Sequence, residues 1–264
     1  MHQGCPSSVR RSATSAAAPA LAMALAVALV VSLCGSAAAR DPSPQYTTIS
    51  PLPGGGVAIN ADGRPDGLGD FHINIPTAYT PGTGFANLSA YWGAYSTATE
   101  QPFGNGTALL GAAFGDRPRI YISAMQVSRE PDEAKAVNAQ VRIAPEKPTM
   151  PGIALGVQDI LRKEDQGRST YAVATKSLLV GKHTVFATVG FGGGRFLKRP
   201  FGGISVPLGE HFNFATEWDG FQINNGLGWR PAGRHGAVTF LGAFNGRSGW
   251  LAGAALAVQF GPKK

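Results

Sequence analysis

The stretch that decides the fold is Phe201–Pro231, FGGISVPLGEHFNFATEWDGFQINNGLGWRP. In its middle, Phe212, Phe214, Thr216 and Trp218 alternate with Asn213, Ala215 and Glu217. A period of two marks a strand whose two faces meet different surroundings. Gly209-Glu210 precedes this strand and Asp219-Gly220 follows it. The second pair predicts a two-residue hairpin, because a type I′ turn needs positive φ at both central positions. Gly203–Leu208 and Phe221–Trp229 then read as the flanking strands. Nothing in the stretch has a helical period.

The same pattern recurs upstream. Val137, Ala139, Val141 and Ile143 alternate with Asn138, Gln140 and Arg142. Ile153, Leu155 and Val157 alternate with Ala154, Gly156 and Gln158. Tyr171, Val173 and Thr175 alternate with Ala172, Ala174 and Lys176. The expected strands are 84–95, 107–114, 119–128, 134–144, 152–160, 170–179, 183–192, 201–208, 211–218, 221–229, 237–244 and 250–260. Twelve is an even number, as in bacterial single-chain barrels. Short connections (115–118, 145–151, 180–182, 209–210, 231–235) should alternate with longer or more charged ones (96–106, 129–133, 161–169, 193–199, 245–249). Asp219-Gly220 is tight although it falls on the long side.

Composition points the same way. Charged residues are 15% of the chain, against about a quarter in ordinary soluble domains. Apolar content of 44% is too low for helical spans, whereas a membrane strand needs only about 9–11 residues with alternate ones apolar. The expected fold is all-β, an antiparallel transmembrane β-barrel of about 12 strands. Polar side chains are costly in hydrocarbon, so they should face the lumen. That predicts an inward polar set of Asn138, Gln140, Arg142, Gln158, Lys176, Asn213 and Glu217. Asp159, next to Gln158, falls near a rim unless a bulge turns it inward. Val173 then belongs to the lipid face. Tyr91, Trp92, Trp218, Trp229 and Trp250 lie near strand ends and read as interfacial girdles.

The beginning of the chain has a different character. Arg10 and Arg11, an uncharged run densest over Leu21–Leu33, and Ser36-Ala37-Ala38-Ala39 make residues 1–39 a cleaved secretory signal peptide. Both cysteines, Cys5 and Cys34, fall inside it, which excludes a disulfide scaffold and thiolate chemistry in the exported chain. Residues 40–70 read as an extended Pro/Gly-rich lead-in with a short strand at 57–60, and 71–264 as the barrel. Phe71–Tyr79, FHINIPTAY, is β-like but broken by Pro76, so it should lie inside the barrel or along its rim. The lead-in could fold into the mouth, giving a narrow or closed lumen.

Four segments carry a family resemblance: IPTAYTPG at Ile75–Gly82, PGIALGVQDI at Pro151–Ile160, YAVATK at Tyr171–Lys176 and FGGISVPLGEHFNFATEWDG at Phe201–Gly220. Their order and spacing resemble YjbH-like outer-membrane proteins, and the likeness runs from Ile75 to the C-terminus. The resemblance implies an outer-membrane location and a role in exopolysaccharide production or export. It implies no catalytic residues.

The residues themselves suggest little chemistry. His72, His183, His211 and His235 are the histidines after the leader; three of them stand at expected turns, where solvation is the default. An outer-membrane lipid hydrolase would need a Ser–His pair oriented by Asn, Asp or Glu, and His211 with Asn213 has no serine beside it. Gly192-Gly193-Gly194 opens no helix and so cradles no phosphate. Catalytic, cofactor and metal residues are therefore expected to be absent. A formal charge of +7 without basic clusters interleaved with aromatics argues against nucleic acid. The expected partners are outer-membrane lipid and an exported polysaccharide or envelope export proteins. A small-solute porin, a lipid hydrolase and a periplasmic soluble β protein are the competing readings.

Overall fold

A computed structural model describes residues 49–93, 106–128, 133–163, 168–245 and 249–260. The expected signal peptide, the first part of the lead-in and several of the longer connections lie outside these residues. Twelve strands run β1 Phe85–Gly93, β2 Gly106–Phe114, β3 Ile120–Ser128, β4 Glu133–Ala144, β5 Gly152–Gln158, β6 Ser169–Val180, β7 His183–Gly192, β8 Arg199–Leu208, β9 Phe212–Trp218, β10 Ile223–Trp229, β11 Val238–Asn245 and β12 Gly249–Gln259. Each pairs antiparallel with its sequence neighbour, and β1 pairs β12 from Phe85↔Gln259 to Gly93↔Leu251. The sheet is a closed barrel, so it has no edge strand to protect.

Strand ends fall within two residues of their expected places. Hairpin chemistry explains the tightest turn: Gly181 takes φ +62° between Val180 and His183, a left-handed conformation that suits glycine. The Asp219-Gly220 hairpin is a correction. β9 ends at Trp218 and β10 begins at Ile223, so the connection is 219–222. Asp219 Oδ1 accepts the N–H groups of Phe221 and Gln222, and this side-chain closure replaces the two-residue turn. The two barrel ends also differ less in connection length than expected: 230–237 is longer than 219–222.

The outer face is apolar around the wall. Leu88, Leu110, Ile122, Leu155, Val189, Phe214, Leu227, Phe240 and Leu256 are all exposed. They come from β1, β2, β3, β5, β7, β9, β10, β11 and β12. Trp92, Phe191, Phe244 and Trp250 ring one end, while Phe114, Phe212 and Trp229 ring the other.

The interior is filled by the chain's own residues 49–84. Residues 60–69 turn at one end, where Asn213 Nδ2 and the Arg234 carbonyl hold Gly67. Residues 70–75 return to the end bearing the 219–222 connection, and 76–84 descend into β1. Ile49, Ala58, Phe71 and Ile73 pack against Tyr91, Leu109, Met125, Ala136, Ala215, Leu241 and Ala243 of the wall. Leu52, Ile75 and Ala78 pack against Ala154, Tyr171, Val173 and Phe201. A boundary at 70/71 therefore separates nothing: the inserted segment continues to the start of β1, and the barrel proper is Phe85–Gln259. The strand expected at 57–60 is reduced to isolated bridges from Ile59 to Pro65 and Asp70.

Candidate functional site

Residues 70–75, DFHINI, alternate Asp70, His72 and Asn74 with Phe71, Ile73 and Ile75. All six are buried. The apolar set enters the packed core, and the polar set needs partners, because an unpaired buried charge is prohibitively costly. The wall supplies them.

His72 is wholly buried between two carboxylates. Its Nε2 lies 3.2 Å from Asp70 Oδ1 and its Nδ1 3.5 Å from Glu217 Oε2 on β9. Burial opposes its protonation, but the charges of Asp70 and Glu217 override burial and push its pKa up to about 10. His72 is therefore an imidazolium at neutral pH. Burial likewise opposes ionisation of Asp70, yet the imidazolium and the hydroxyls around it hold its carboxyl below the ordinary value. Asp70 accepts from Ser205 Oγ at 2.6 Å, Thr77 Oγ1 at 2.6 Å and Thr188 Oγ1 at 3.2 Å. Glu217 accepts the backbone N–H of Ile73 at 3.0 Å and of Asn74 at 2.5 Å.

The network continues toward the 219–222 connection. Asn74 Nδ2 donates to Asp219 Oδ2 at 2.8 Å, and Asn224 Nδ2 donates to the same oxygen at 2.9 Å. Arg195 donates to the Asn74 carbonyl and side-chain oxygen, and to Gln158 Oε1 at 2.9 Å. Arg195 comes from a short 3-10 turn, Gly194–Phe196, whose Phe196 ring lies 5.1 Å from the guanidinium. At the opposite end Asp66 accepts two hydrogen bonds from Arg234, each 2.8 Å. Burial raises the Asp66 carboxyl, but the Arg234 guanidinium outweighs this and holds it below the usual range.

Wall glycines complete the fit. A Cβ on Gly203 would meet Glu217 Cβ at 2.8 Å and His72 Cε1 at 3.0 Å. A Cβ on Gly226 would meet Ile73 Cδ1 at 2.5 Å, and one on Gly228 would meet Phe71 Cε2 at 3.0 Å. The wall is notched where residues 71–73 pass.

Of the polar residues expected to face inward, Asn138, Gln140, Gln158, Asn213 and Glu217 are buried inside. Gln140 donates to the Thr77 carbonyl and to Thr80 Oγ1, and accepts from Tyr171 Oη. Asn138 Oδ1 accepts the Asp159 N–H at 3.0 Å. Asp159 is buried too, not at a rim, because its φ of +52° turns the chain so that neighbouring residues both point in. Arg142 is half-buried at the barrel end and donates to the Asp116 carbonyl. Lys176 is a correction. Tyr171, Val173 and Thr175 are the buried face of β6, so Lys176 faces outward and bonds Glu146 Oε1 at 2.8 Å and the Lys147 carbonyl at 2.6 Å. Val173 is inward, not on the lipid face.

Sequence reasoning missed Asp70, His72, Asn74, Arg195 and Asp219. The signal available was the polar alternation Asp70, His72, Asn74 inside a run otherwise apolar. The site contains serine, histidine and carboxylate, but Asp70 stands between Ser205 and His72. Nucleophile activation needs the base against the hydroxyl. Every one of these groups is also buried, so the arrangement holds a segment in place and offers no reacting atom to a solute. Among the described residues, no cluster of His, Cys, Asp and Glu has the geometry to hold a metal ion. No family model matches the chain, and no curated protein matches it.

Proposed function

We propose that the chain is a non-catalytic outer-membrane β-barrel of the cell envelope, closed by its own inserted segment and acting in exopolysaccharide production or export. The observation that carries the membrane reading is the apolar outer face. Exposed Leu, Ile, Val and Phe side chains surround a closed wall whose polar side chains turn inward. A water-soluble barrel would present a large apolar surface to solvent at great cost, whereas a bilayer requires it. Trp92, Trp229, Trp250 and the exposed phenylalanines at both ends match the two interfaces, whereas Tyr91 and Trp218, also expected there, are buried. The polysaccharide role rests on the YjbH-like motifs. Two of them, at Ile75–Gly82 and Phe201–Gly220, share one buried cluster through Ile75, Ala78 and Phe201.

The filled interior argues against a small-solute porin. Two observations would test the reading. Unboiled protein should migrate faster than boiled protein on a gel and float with vesicles. A deletion strain should lose extracellular polysaccharide while small-solute uptake is unchanged. A deletion strain with normal polysaccharide would remove the second half of the proposal.

A further inference from the structure

From the backbone and charges of one barrel end, resting on the outer-membrane reading above, we infer that the β5–β6 and β7–β8 connections form a binding rim for lipid phosphate. The two connections are packed together. The Gly193 N–H donates to the Thr170 carbonyl, and Arg195 N–H donates to Ser169 Oγ at 2.8 Å. A Cβ on Gly194 would lie 2.8 Å from the Arg168 carbonyl, so nothing separates them.

This rim presents cations. Arg162, Lys163, Arg168 and Lys198 are exposed and Arg199 is half-buried. Arg168 donates to the Ile160 carbonyl at 2.9 Å, which ties it to the first turn of its own connection. Of the acids described at this end, Asp159 and Asp219 are wholly buried and engaged inside the barrel, and Glu133 opens β4 at the same end. Glu164 and Asp165 stand in the same connection in sequence, outside the described residues.

Backbone conformation singles out the same place. Among the described residues, those other than glycine with positive φ are Asp159, Arg162, Leu197 and Lys198, at +52°, +57°, +56° and +56°. All four fall in these two connections. A left-handed backbone disfavours residues with a Cβ, and such positions gather at ligand clamps. Two of the four are the exposed cations Arg162 and Lys198.

Height on the wall identifies the anion's source. On the outer face next to these connections stand Phe191 and Val189 of β7 and Leu155 of β5, all exposed. Apolar side chains capped by Arg and Lys make the profile of a membrane interface, where cations meet headgroup phosphates. An exported polysaccharide passing through the lumen would meet Arg195, which is buried, rather than these outer cations. The ligand is a phosphorylated lipid of the leaflet at this end.

The test uses the full exported chain in detergent and measures retention of bis-phosphorylated lipid A, its dephosphorylated form, and alginate. Phosphorylated lipid A should be retained at least about tenfold better than the dephosphorylated form, since each cation near a charged surface contributes appreciably. Replacing Arg162, Lys163, Arg168 and Lys198 by Gln should abolish that preference, and Lys163→Glu alone should reduce it. Lys182→Gln at the opposite end should leave it unchanged. Equal retention of the two lipid forms, or a preference that survives the fourfold variant, would overturn the inference. Retention of alginate instead would assign the rim to glycan and overturn it as well. Loss of lipid retention in millimolar inorganic phosphate would assign it to free phosphate. Vesicle flotation of the unmodified protein, run in parallel, reports on the membrane reading independently of lipid preference.

Discussion

Glu217 on the barrel wall accepts the backbone N–H of Asn74, at 2.5 Å, inside the barrel. Its other oxygen accepts the N–H of Ile73 and faces the ring of His72. One carboxylate thus holds the main chain of the inserted segment and balances half of the imidazolium charge. Because two of these bonds go to backbone, no substitution at 73 or 74 short of proline removes them; only the wall residue can.

Replacing Glu217 by Ala should therefore lower stability by about 3–5 kcal/mol, the usual cost of removing one partner from a buried ion pair. Glu217→Gln keeps a hydrogen-bond acceptor and should cost less. Denaturant unfolding of the refolded protein measures both. A loss below about 1 kcal/mol for the alanine variant would contradict the assigned geometry.

Glycine substitutions separate the wall's two faces. Gly203→Ala drives a methyl against Glu217 Cβ and the His72 ring, and overpacking of this kind costs about 1–3 kcal/mol. Gly242→Ala has nothing within 4 Å and lies on the outer face, so it should be neutral or slightly stabilising. Equal effects at the two sites would mean the interior is not packed.

The pH dependence follows from His72 and Asp70. The His72 pKa is raised from 6.5 to about 10, so its contribution is full below the unfolded value and is lost as pH rises through about 10. Asp70 is lowered from 3.8, so its contribution is present above that value and is lost as pH falls through the folded pKa. The unfolding midpoint should fall steadily as pH rises from about 6.5 to about 10, and fall again at acid pH. His72→Gln should remove the alkaline limb and shrink the acid one, because the imidazolium is foremost among the groups that hold Asp70 low.

Conduction distinguishes the true interior from the outer face. The unmodified protein should show no stable conductance in planar bilayers, since the segment through residue 84 fills the lumen. Lys176→Ala should stay silent, because Lys176 lies outside. Glu217→Ala should admit opening events as the segment loosens. A stable open channel in the unmodified protein would favour a porin.

Orientation can be read with introduced cysteines, since the sequence after residue 39 has none. Lys163→Cys should react with an impermeant maleimide in intact cells and Lys182→Cys should not, because the connections at 159–168 and 181–182 lie at opposite ends. Reversed labelling would invert the barrel in the membrane.

The strands were legible because a wall between two different environments enforces a period of two. Which face points inward was legible only where that face is polar. Asn213 and Glu217, or Asn138 and Gln140, declare themselves. On β6 the inward residues Tyr171, Val173 and Thr175 look more lipid-like than Ala172 and Ala174, since the inserted segment gives them an apolar neighbour in Leu52 and Ile75. Asp159 was misplaced because a positive φ at a residue other than glycine leaves no mark on the alternation. The site itself stayed hidden for a related reason. Asp70, His72 and Glu217 are far apart in the chain, and only barrel closure brings them together.

The filling of the barrel by its N-terminal segment sets an order of assembly. Residues 70–77 are synthesised well before Thr188, Ser205 and Glu217, with which they hydrogen-bond. The bonds span up to 145 positions of sequence, as from Asn74 to Asp219. Contacts this distant form late and slowly. Until β7–β10 arrive, a histidine, an aspartate and several large apolar residues travel without partners, the state in which chains aggregate. Biogenesis thus has a built-in interval of vulnerability. Its length is governed by how quickly the second half of the wall follows the first.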